Sequence, residues 1–344
     1  MASFFDLTRG QLAELVETWG EPRYRAGQIW HAVYRDLALS TGEITTLPRS
    51  LRGKLAAELS FGSLTPLVEA RSSDGQTRKR LFGLPDGKQI EAVLMGYEQR
   101  RTACISTQAG CAMGCVFCAT GQMGFRRHLS AGEIVEQVLW FARELKAQGD
   151  RLTNIVVMGM GEPFHNYDAT LAAVDTLNDA DGFNFGARRI TVSTVGLAPM
   201  IERFAAEKRQ VNLAVSLHAA TDDLRTELLP INQKYPLRVL FDAVRKYCEI
   251  TRRRVTFEWA LIQGKNDTPA QARALATLAA GLPCHVNVIP LNPTRQYAGQ
   301  ATTRERAAAF KAALESHGIP CTIRVRRGID INAGCGQLAV ENVV

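Results

Sequence analysis

The sequence predicts an α/β protein whose core is a partial (β/α)6 barrel of the TIM type, preceded by a small helical module and a β-hairpin extension. From about residue 102 onward, short apolar segments alternate with helical segments, a pattern typical of a parallel sheet. Six such units are too few to close an eight-fold barrel. We therefore divide the chain into an accessory module at residues 1–60, a hairpin extension at 61–100 and a barrel domain at 101–344.

The two segments before the barrel differ in the period of their apolar residues. In residues 8–60 the apolar residues recur at helical spacing. Trp30 and Tyr34 are four residues apart, and we expect them to pack in a small helical core rather than to stack on bases. Residues 79–95 alternate instead, around the turn Pro85-Asp86-Gly87-Lys88, which predicts a β-hairpin.

The barrel strands are predicted where apolar runs are bounded by turn residues. They are residues 102–106, 154–158, 190–194, 212–217, 255–262, 285–289 and 322–325. After the first of them, Ser130 and Glu133 have the spacing of a capping box, which predicts a helix to about Ala147. In a curled array of parallel strands, the residues that follow the strands' carboxyl ends converge, so functional side chains are expected there.

Composition and charge exclude several classes of protein. The 344 residues are 46% hydrophobic and 22% charged, which is enough to bury a core and argues against a disordered chain. No apolar run is long enough to span a bilayer, and the N-terminus lacks the pattern of an export signal. We therefore expect a cytoplasmic protein with reduced thiols and no membrane partner. The net charge of +7 favours a polyanionic partner, although a solvated basic surface would give the same charge.

Three of the eight cysteines lie within eight residues, as Cys111, Cys115 and Cys118. Three thiolates on a tight loop can hold three corners of a [4Fe–4S] cluster and leave one iron open to a small molecule. A structural zinc site is the competing interpretation, but it requires four ligands, usually arranged as C-x2-C pairs, and the sequence contains no second pair. Incidental thiols are the plainest interpretation, but packing alone does not explain such close spacing.

The sequence around these cysteines resembles a known enzyme family. The spacing C-x3-C-x2-C is the signature of radical S-adenosylmethionine (SAM) enzymes. The segments Cys104-Ile105-Ser106-Thr107-Gln108 and Ala119-Thr120-Gly121-Gln122-Met123-Gly124-Phe125 resemble, more specifically, the bacterial dual-specificity RNA adenine C2 methyltransferases. The resemblance covers about residues 10–340.

That resemblance implies a [4Fe–4S] cluster on the three cysteines and two SAM molecules per turnover. It also implies methylation of C2 of one adenosine in the peptidyl transferase centre of 23S rRNA and of the adenosine 3′ of the anticodon in some tRNAs. The N-terminal module would then help to hold RNA. The remaining partner would be an electron donor such as flavodoxin, and we expect a monomer.

Residues at the predicted strand ends match the SAM-binding positions of that family. Gly161 and Glu162 follow the strand at 154–158, where glycine allows a ligand to approach the backbone and a carboxylate can bind an ammonium group. The plainer interpretations are an ordinary βα turn and, for His218, a satisfied core histidine. The family match implies SAM contacts from Gly161, Glu162, Ser193, Ser216, Leu217, His218 and Asn292.

Three further residues match catalytic positions of the family. Cys335 lies between Gly334 and Gly336, on backbone that can bend around a thiolate with two successive partners, although the family usually has alanine where this chain has Gly334. The resemblance implies that Cys335 accepts a methyl group from one SAM, and that a radical made from the second SAM activates this group to join adenine C2. Glu91 would then take the ring proton, and Cys104 would release the product through a transient disulfide. The remaining cysteines are predicted to lie in the core: Cys248, Cys284 and Cys321.

Three alternative functions remain open. A C8-specific 23S rRNA adenine methyltransferase that confers antibiotic resistance would use the same cysteines, but the segments at 121–125 and 328–331 favour the C2 enzyme. A non-catalytic iron–sulfur RNA-binding protein would not need Glu91, Cys104 and Cys335 together. A radical activating enzyme that acts on a protein is disfavoured by the basic charge and by the lack of a second cluster motif.

Overall fold

A ten-stranded sheet organises the protein in the computed structural model, which describes residues 1–340. The strands are β1 (Ala2–Ser3), β2 (Leu59–Ser60), β3 (Thr65–Arg71), β4 (Thr77–Gly83), β5 (Gln89–Gly96), β6 (Arg101–Cys104), β7 (Gln108–Gly110), β8 (Phe125–His128), β9 (Asn154–Val157), β10 (Ile190–Thr194), β11 (Asn212–Ser216), β12 (Val255–Leu261), β13 (Cys284–Pro290) and β14 (Cys321–Ile323). The helices are α1 (Arg9–Thr18), α2 (Tyr24–Tyr34), α3 (Arg49–Glu58), α4 (Ala119–Gln122), α5 (Ala131–Ala147), α6 (Tyr167–Asn178), α7 (Ala198–Ala206), α8 (Asp222–Leu228), α9 (Leu237–Thr251), α10 (Pro269–Leu278) and α11 (Arg304–Glu315).

The parallel part of the sheet is an open, partial barrel. Strands β6 and β9 to β14 are parallel, lie side by side in chain order, and are connected by crossovers that carry the helices α4 to α11. The helices cover the apolar side chains of the strands, so that the core extends along the whole sheet. The predicted fold class is therefore confirmed, with six βα units and a final strand. The strand ends differ from the predicted ones by a few residues.

The predicted hairpin is part of a three-stranded antiparallel extension of the same sheet. Strands β4 and β5 form the hairpin, β3 pairs with β4, and β5 pairs with β6, with Val93 opposite Cys104. The sequence pattern predicted the hairpin but not its pairing with β6. Because of this pairing, the hairpin lies directly beside the strand that leads to the three clustered cysteines.

In the N-terminal module, α1 packs on α2, and the single turn of 3-10 helix at Phe4–Asp6 contacts α5. Trp30 and Tyr34 are almost completely buried and their ring centroids are 4.3 Å apart, which confirms that they belong to the core. Helix α5 begins at the predicted capping box, in which the Ser130 side chain accepts a hydrogen bond from the Glu133 N–H. No helix within residues 1–340 is both long and apolar enough to cross a bilayer.

Candidate active site

One large cavity lies at the carboxyl ends of the parallel strands. Its lining includes most of the residues that the sequence singled out: Cys104, Cys111, Cys115, Cys118, Gly161, Glu162, Ser193, Ser216, His218, Asn292 and Cys335. Leu217 and Glu91 are not in the lining. The fold therefore brings together residues from almost every βα unit, as expected where parallel strands end at one edge of a sheet.

The loop with the three clustered cysteines follows β7 and is fixed to its surroundings by backbone hydrogen bonds. The N–H of Val116 donates to the carbonyl of Leu228, at the end of α8, over 3.1 Å. Burial raises the pKa of Cys111 to about 12, so that a free thiol there is protonated at neutral pH. A metal that binds sulfur removes this cost because it takes the place of the proton.

The three thiols are compatible with a cluster rather than with a single ion. Within residues 1–340, no three His, Cys, Asp or Glu side chains converge closely enough to hold one metal ion. In a [4Fe–4S] cluster, by contrast, each cysteine binds a different iron, and its ligands surround a larger group. Cys111, Cys115 and Cys118 share one cavity and are close enough to influence one another's charge, which fits a cluster with three protein ligands.

Glu162 follows β9 in a tight loop that glycine makes possible. Gly161 has φ of 102°, and a Cβ atom there would lie 2.6 Å from Cβ of Gln108. The two carboxylate oxygens of Glu162 accept hydrogen bonds from the N–H groups of Phe164 and Val195. Burial nevertheless raises the pKa of Glu162 to about 7. The carboxylate is thus fixed at the cavity wall, where the ammonium group of a ligand would stabilise its charge.

His218 is held in one neutral tautomer. It has a left-handed backbone, with φ of 59°, and its Nδ1 accepts a hydrogen bond from the N–H of Ala260 over 2.9 Å. Burial lowers its pKa to about 3, so the ring carries its single proton on Nε2 and is a donor there. Ser193 and Ser216 lie next to it in the lining, with their hydroxyl oxygens 3.4 Å apart. These three residues provide hydrogen-bonding groups for a ligand.

Leu217 lies between two of these residues but points into the apolar core. Its side chain is fully buried, and its N–H donates to the carbonyl of Glu258. Only its position at the strand end is shared with Ser216 and His218.

Asn292 connects the cavity wall to the loop of Cys335. Its Nδ2 donates to the carbonyl of Cys335 over 3.0 Å, while its buried Oδ1 has no hydrogen-bond partner within residues 1–340. An unpartnered buried acceptor in a ligand cavity is a position where a ligand can donate. A Cβ atom at position 334 would lie 2.6 Å from this Nδ2, so Gly334 allows the side chain of Asn292 to approach the loop.

Cys104 and Cys335 line the same cavity although they are distant in sequence. Cys104 is buried at the end of β6, whereas Cys335 is exposed to the cavity. Desolvation and, to a smaller extent, the charge of Cys335 raise the pKa of Cys104 to about 12, and desolvation raises that of Cys335 to about 11. Both thiols are therefore protonated at neutral pH, and each needs a base or a nearby cation to react as a thiolate.

Glu91 is buried beside the cavity rather than exposed on its strand. One oxygen lies 2.9 Å from Nζ of Lys79, and the other accepts a hydrogen bond from the N–H of Ala339 over 3.0 Å. Along β5, Glu91 has the same side-chain direction as Val93 and Met95, which do line the cavity. Its carboxylate is therefore directed toward the cavity side of the sheet, under the C-terminal segment.

Sequence reasoning missed two buried polar residues beside the site. Arg225, on α8, is completely buried and donates to the carbonyls of Val195 and Leu217, which extend from two neighbouring strands. Gln108 accepts from the N–H of Glu162 and donates to Nδ1 of both His128 and His165. Gln108 belongs to a segment quoted for the family resemblance, but its hydrogen-bond partners could not be read from the sequence.

An open (β/α)6 barrel with three cysteines and a glycine–glutamate loop at its strand ends defines a radical SAM enzyme. Comparison with known proteins agrees. The family model "Radical SAM superfamily" matches residues 105–275, and "Ribosomal RNA large subunit methyltransferase N-terminal domain" matches residues 2–60. Membership of this superfamily implies a [4Fe–4S] cluster and SAM as cofactors.

Similar proteins identify a narrower family. A "Probable dual-specificity RNA methyltransferase RlmN" of Chloroflexus aurantiacus is 51% identical, over 99% of this chain and 93% of its own. "Dual-specificity RNA methyltransferase RlmN 1" of Myxococcus xanthus is 52% identical, over 98% and 94%. The crystal structure of a radical SAM methyltransferase from Sphaerobacter thermophilus has a TM-score of 0.97 and 52% identity, and covers 99% of this chain and 100% of its own. The chain belongs to the RlmN family of radical SAM RNA methyltransferases.

Proposed function

We propose that this protein methylates C2 of one adenosine in the peptidyl transferase centre of 23S rRNA and of the adenosine 3′ of the anticodon in some tRNAs, with Cys335 as the carrier of the methyl group. The observation that carries the proposal is the single cavity lined by Cys104, Cys335 and the three clustered cysteines. After three of these five thiols have bound a cluster, those of Cys104 and Cys335 remain available for covalent chemistry. The names of the relatives favour C2 over C8 methylation.

The cofactors would be held by the residues that line the cavity. Cys111, Cys115 and Cys118 would bind the cluster, which supplies the electron that converts SAM into a radical source. Glu162 would bind the ammonium group of SAM, and His218 would donate from Nε2 to an acceptor atom elsewhere in SAM. The remaining proposed SAM contacts are Gly161, Ser193, Ser216 and Asn292 in the lining and, outside it, Leu217, whose side chain is in the core and whose contact would have to come from its backbone. Two SAM molecules are needed per turnover, because one supplies the methyl group and the other the radical.

The remaining steps use thiols and a carboxylate of the chain. Cys335, as a thiolate, takes the methyl group of the first SAM: a new S–C bond forms, the C–S bond of the sulfonium breaks, and S-adenosylhomocysteine leaves. Once this carbon has lost one hydrogen atom to the radical and is joined to adenine C2, Glu91 accepts the ring proton as a general base, and the unpaired electron would return to the cluster. The sulfur of Cys104, as a thiolate, then attacks that of Cys335, so that a disulfide forms and the S–C bond breaks; the carbon keeps the electron pair, takes a proton to become a methyl group, and the methylated base leaves. Two electrons and protons must later reduce that disulfide. We propose a donor such as flavodoxin, and a monomer as the working unit.

The test uses protein reconstituted anaerobically with iron and sulfide. Incubation with SAM, reductant and a 23S rRNA fragment should yield 5′-deoxyadenosine and 2-methyladenosine, the latter identified by mass spectrometry. Methylation at C8, or SAM cleavage without RNA methylation, would overturn the proposal in favour of an alternative.

Two variants separate the roles of the thiols. Cys104→Ala should accumulate RNA crosslinked to Cys335, because nothing then breaks the S–C bond. Cys335→Ala should still cleave SAM slowly but should neither crosslink nor methylate. Cys248→Ala, which removes a core thiol far from the cavity lining, is the control and should methylate normally. Normal turnover by Cys104→Ala would contradict its proposed role.

A further inference from the structure

A basic rim borders the cavity on the side of the Cys335 loop. We define the rim by Tyr97, Arg100, Val325 and Arg327. Tyr97, Val325 and Arg327 line the same cavity as Cys335, and Arg100 packs on the ring of Tyr97. Any RNA base that reaches Cys335 must pass groups at the border of this cavity.

Tyr97 holds two guanidinium groups in place. The Cζ atoms of Arg100 and Arg327 lie 4.1 Å and 4.6 Å from the centroid of its ring. Within residues 1–340, no carboxylate forms an ion pair with Arg100, whereas Arg327 forms one with Asp74, at 3.7 Å. The cation–π contacts fix both guanidinium groups; the charge of Arg100 is not neutralised, and that of Arg327 is offset only in part by this long, half-exposed ion pair. The result is a pair of preorganised cations with capacity to bind an anion.

Val325 is an exposed apolar residue in the same rim. Its exposed fraction is 80%, and its neighbours in sequence are Arg324 and Arg326. A single exposed valine on a protein surface is ordinary. This one borders the cavity and lies between cationic residues, where an apolar group would meet the base of a nucleic acid whose phosphates the cations bind.

The proposed reaction requires the target adenosine to leave its stack. The edge of an adenine that carries C2 is not reachable by a thiol inside a cavity while the base is stacked between neighbours, and enzymes that modify bases extrude them into the active site. Extrusion costs unstacking energy and leaves a gap between the flanking bases. Proteins commonly fill such a gap with an apolar side chain.

We propose that this rim is the RNA entrance of the active site, an inference that rests on the proposed function. Arg100 and Arg327, held by Tyr97, bind the phosphates that flank the target adenosine, and Val325 occupies the place that the extruded base leaves. The substrate is accordingly a single-stranded or loop segment, because phosphates and an extruded base are accessible together there. The rim recognises the sugar–phosphate backbone of the RNA and the ability of a base to leave its stack, whereas residues deeper in the cavity recognise which base it is.

The phosphate contacts are tested by the salt dependence of RNA binding. Cluster-loaded protein without reductant is titrated with a single-stranded 23S rRNA fragment at several KCl concentrations. Arg100→Ala and Arg327→Ala should each reduce the slope of log affinity against log salt by about 0.7, the amount expected for one lost phosphate contact. Tyr97→Phe keeps the ring and should bind as the wild type does, whereas Tyr97→Leu should lose part of the slope.

A control variant accounts for the change in net charge. Arg238→Ala removes an exposed arginine on α9, outside the cavity lining, and should leave the slope unchanged. If the two rim variants have the same slope as Arg238→Ala, the rim does not bind phosphate and the inference is wrong.

Base extrusion is tested by fluorescence of 2-aminopurine at the target position. Binding of wild-type protein should raise the fluorescence as the base unstacks. Val325→Gly should lower the equilibrium constant between the extruded and the stacked base about tenfold, equivalent to 1.4 kcal/mol, and so reduce this rise, with less than about a twofold loss of affinity. Val325→Leu should restore it. A full fluorescence rise with Val325→Gly would refute the role of Val325.

If the wild-type protein methylates RNA while the rim variants remain unchanged, only this inference fails. If the rim variants behave as expected but no methylation occurs, only the proposed function fails.

Discussion

Glu162 is the residue whose ionisation the site controls most directly. Burial raises its pKa from 4.5 to about 7, although hydrogen bonds from Val195 and Phe164 work in the opposite direction. Because the folded-state pKa lies above the unfolded-state value, the folded protein binds this proton more tightly than the unfolded chain does. The stabilising contribution of the protonated group is complete below about pH 4.5 and is lost as the pH rises through about 7.

We expect the affinity for SAM to increase about fivefold between about pH 6 and about pH 7. A carboxyl group with a pKa near 7 is about one-tenth ionised at the lower pH and half ionised at the higher, and an α-amino group of ordinary pKa is still mostly an ammonium over this interval. Isothermal titration of cluster-loaded protein measures the change. Glu162→Gln should bind SAM more weakly and without this pH dependence. If the variant keeps the same profile, another group is responsible for it.

The sequence identifies the functional residues better than it predicts the surroundings of their side chains. The cysteines, Glu162 and His218 were found because each follows a predicted strand or a signature spacing. Arg225 was not found, because an arginine on a short helix that begins with two aspartates has the pattern of a solvated residue. Its burial results from the convergence of β10, β11 and α8, which the residues near Arg225 in the sequence do not predict.

At the scale of elements, α4 connects the cluster loop to the segment that carries Cys335. The N–H of Ala119 donates to the carbonyl of Gly336 over 2.8 Å, and Oγ1 of Thr120 donates to the carbonyl of Leu338 over 2.5 Å. Helix α4 begins directly after Cys118, so the same short element touches both groups of reactive cysteines. The position of Cys335 therefore depends on a helix of a single turn.

Thr120→Val should loosen the segment around Cys335. It removes the hydroxyl donor with almost no change of shape, and leaves the carbonyl of Leu338 without this hydrogen bond. We expect iodoacetamide to modify Cys335 about three- to tenfold faster in the metal-free variant, because loss of about 1 kcal/mol increases local opening by a similar factor. Peptide mass mapping distinguishes Cys335 from the other thiols.

The control for this experiment is Thr277→Val. It removes a hydroxyl group that donates a hydrogen bond within α10, to the carbonyl of Arg273. It should leave the rate at Cys335 unchanged. Equal modification rates in wild type and Thr120→Val would mean that α4 does not restrain the segment.

The elements themselves were largely predictable, whereas their lateral neighbours were not. Each barrel strand is a short apolar run, a local pattern that the sequence displays directly. The pairing of β5 with β6 and the docking of the Cys335 segment on α4 depend on residues far apart in the chain. For this reason the cavity was predicted as a set of strand ends, while the burial of Glu91 beside Lys79 was not.

At the scale of the whole molecule, α5 joins the N-terminal module to the barrel. Arg143 donates to the carbonyls of Leu37 and Ala38 in the module, and Glu136 accepts hydrogen bonds from the N–H groups of Ser63 and Leu64 at the start of the hairpin extension. Residues of the module and of the barrel also share one continuous hydrophobic core. The module is thus attached through a partly buried arginine of a barrel helix and through the shared core, so a module that holds RNA would keep a fixed orientation relative to the cavity.

Arg143→Met should therefore destabilise the whole protein rather than the module alone. The variant keeps an apolar stem but removes donors from two carbonyls, one of them at Leu37, whose left-handed backbone, with φ of 64°, this contact fixes. We expect the free energy of unfolding of the metal-free protein to fall by about 1–3 kcal/mol in a urea titration. Far-UV circular dichroism and tryptophan fluorescence should still report one common transition, because the shared core couples the two parts.

Arg151→Met, on the exposed loop after α5, is the matched control and should change stability by less than about 0.5 kcal/mol. Two separate transitions in the Arg143 variant would instead show that the module and the barrel unfold independently, and that the orientation of the module is set by something other than α5.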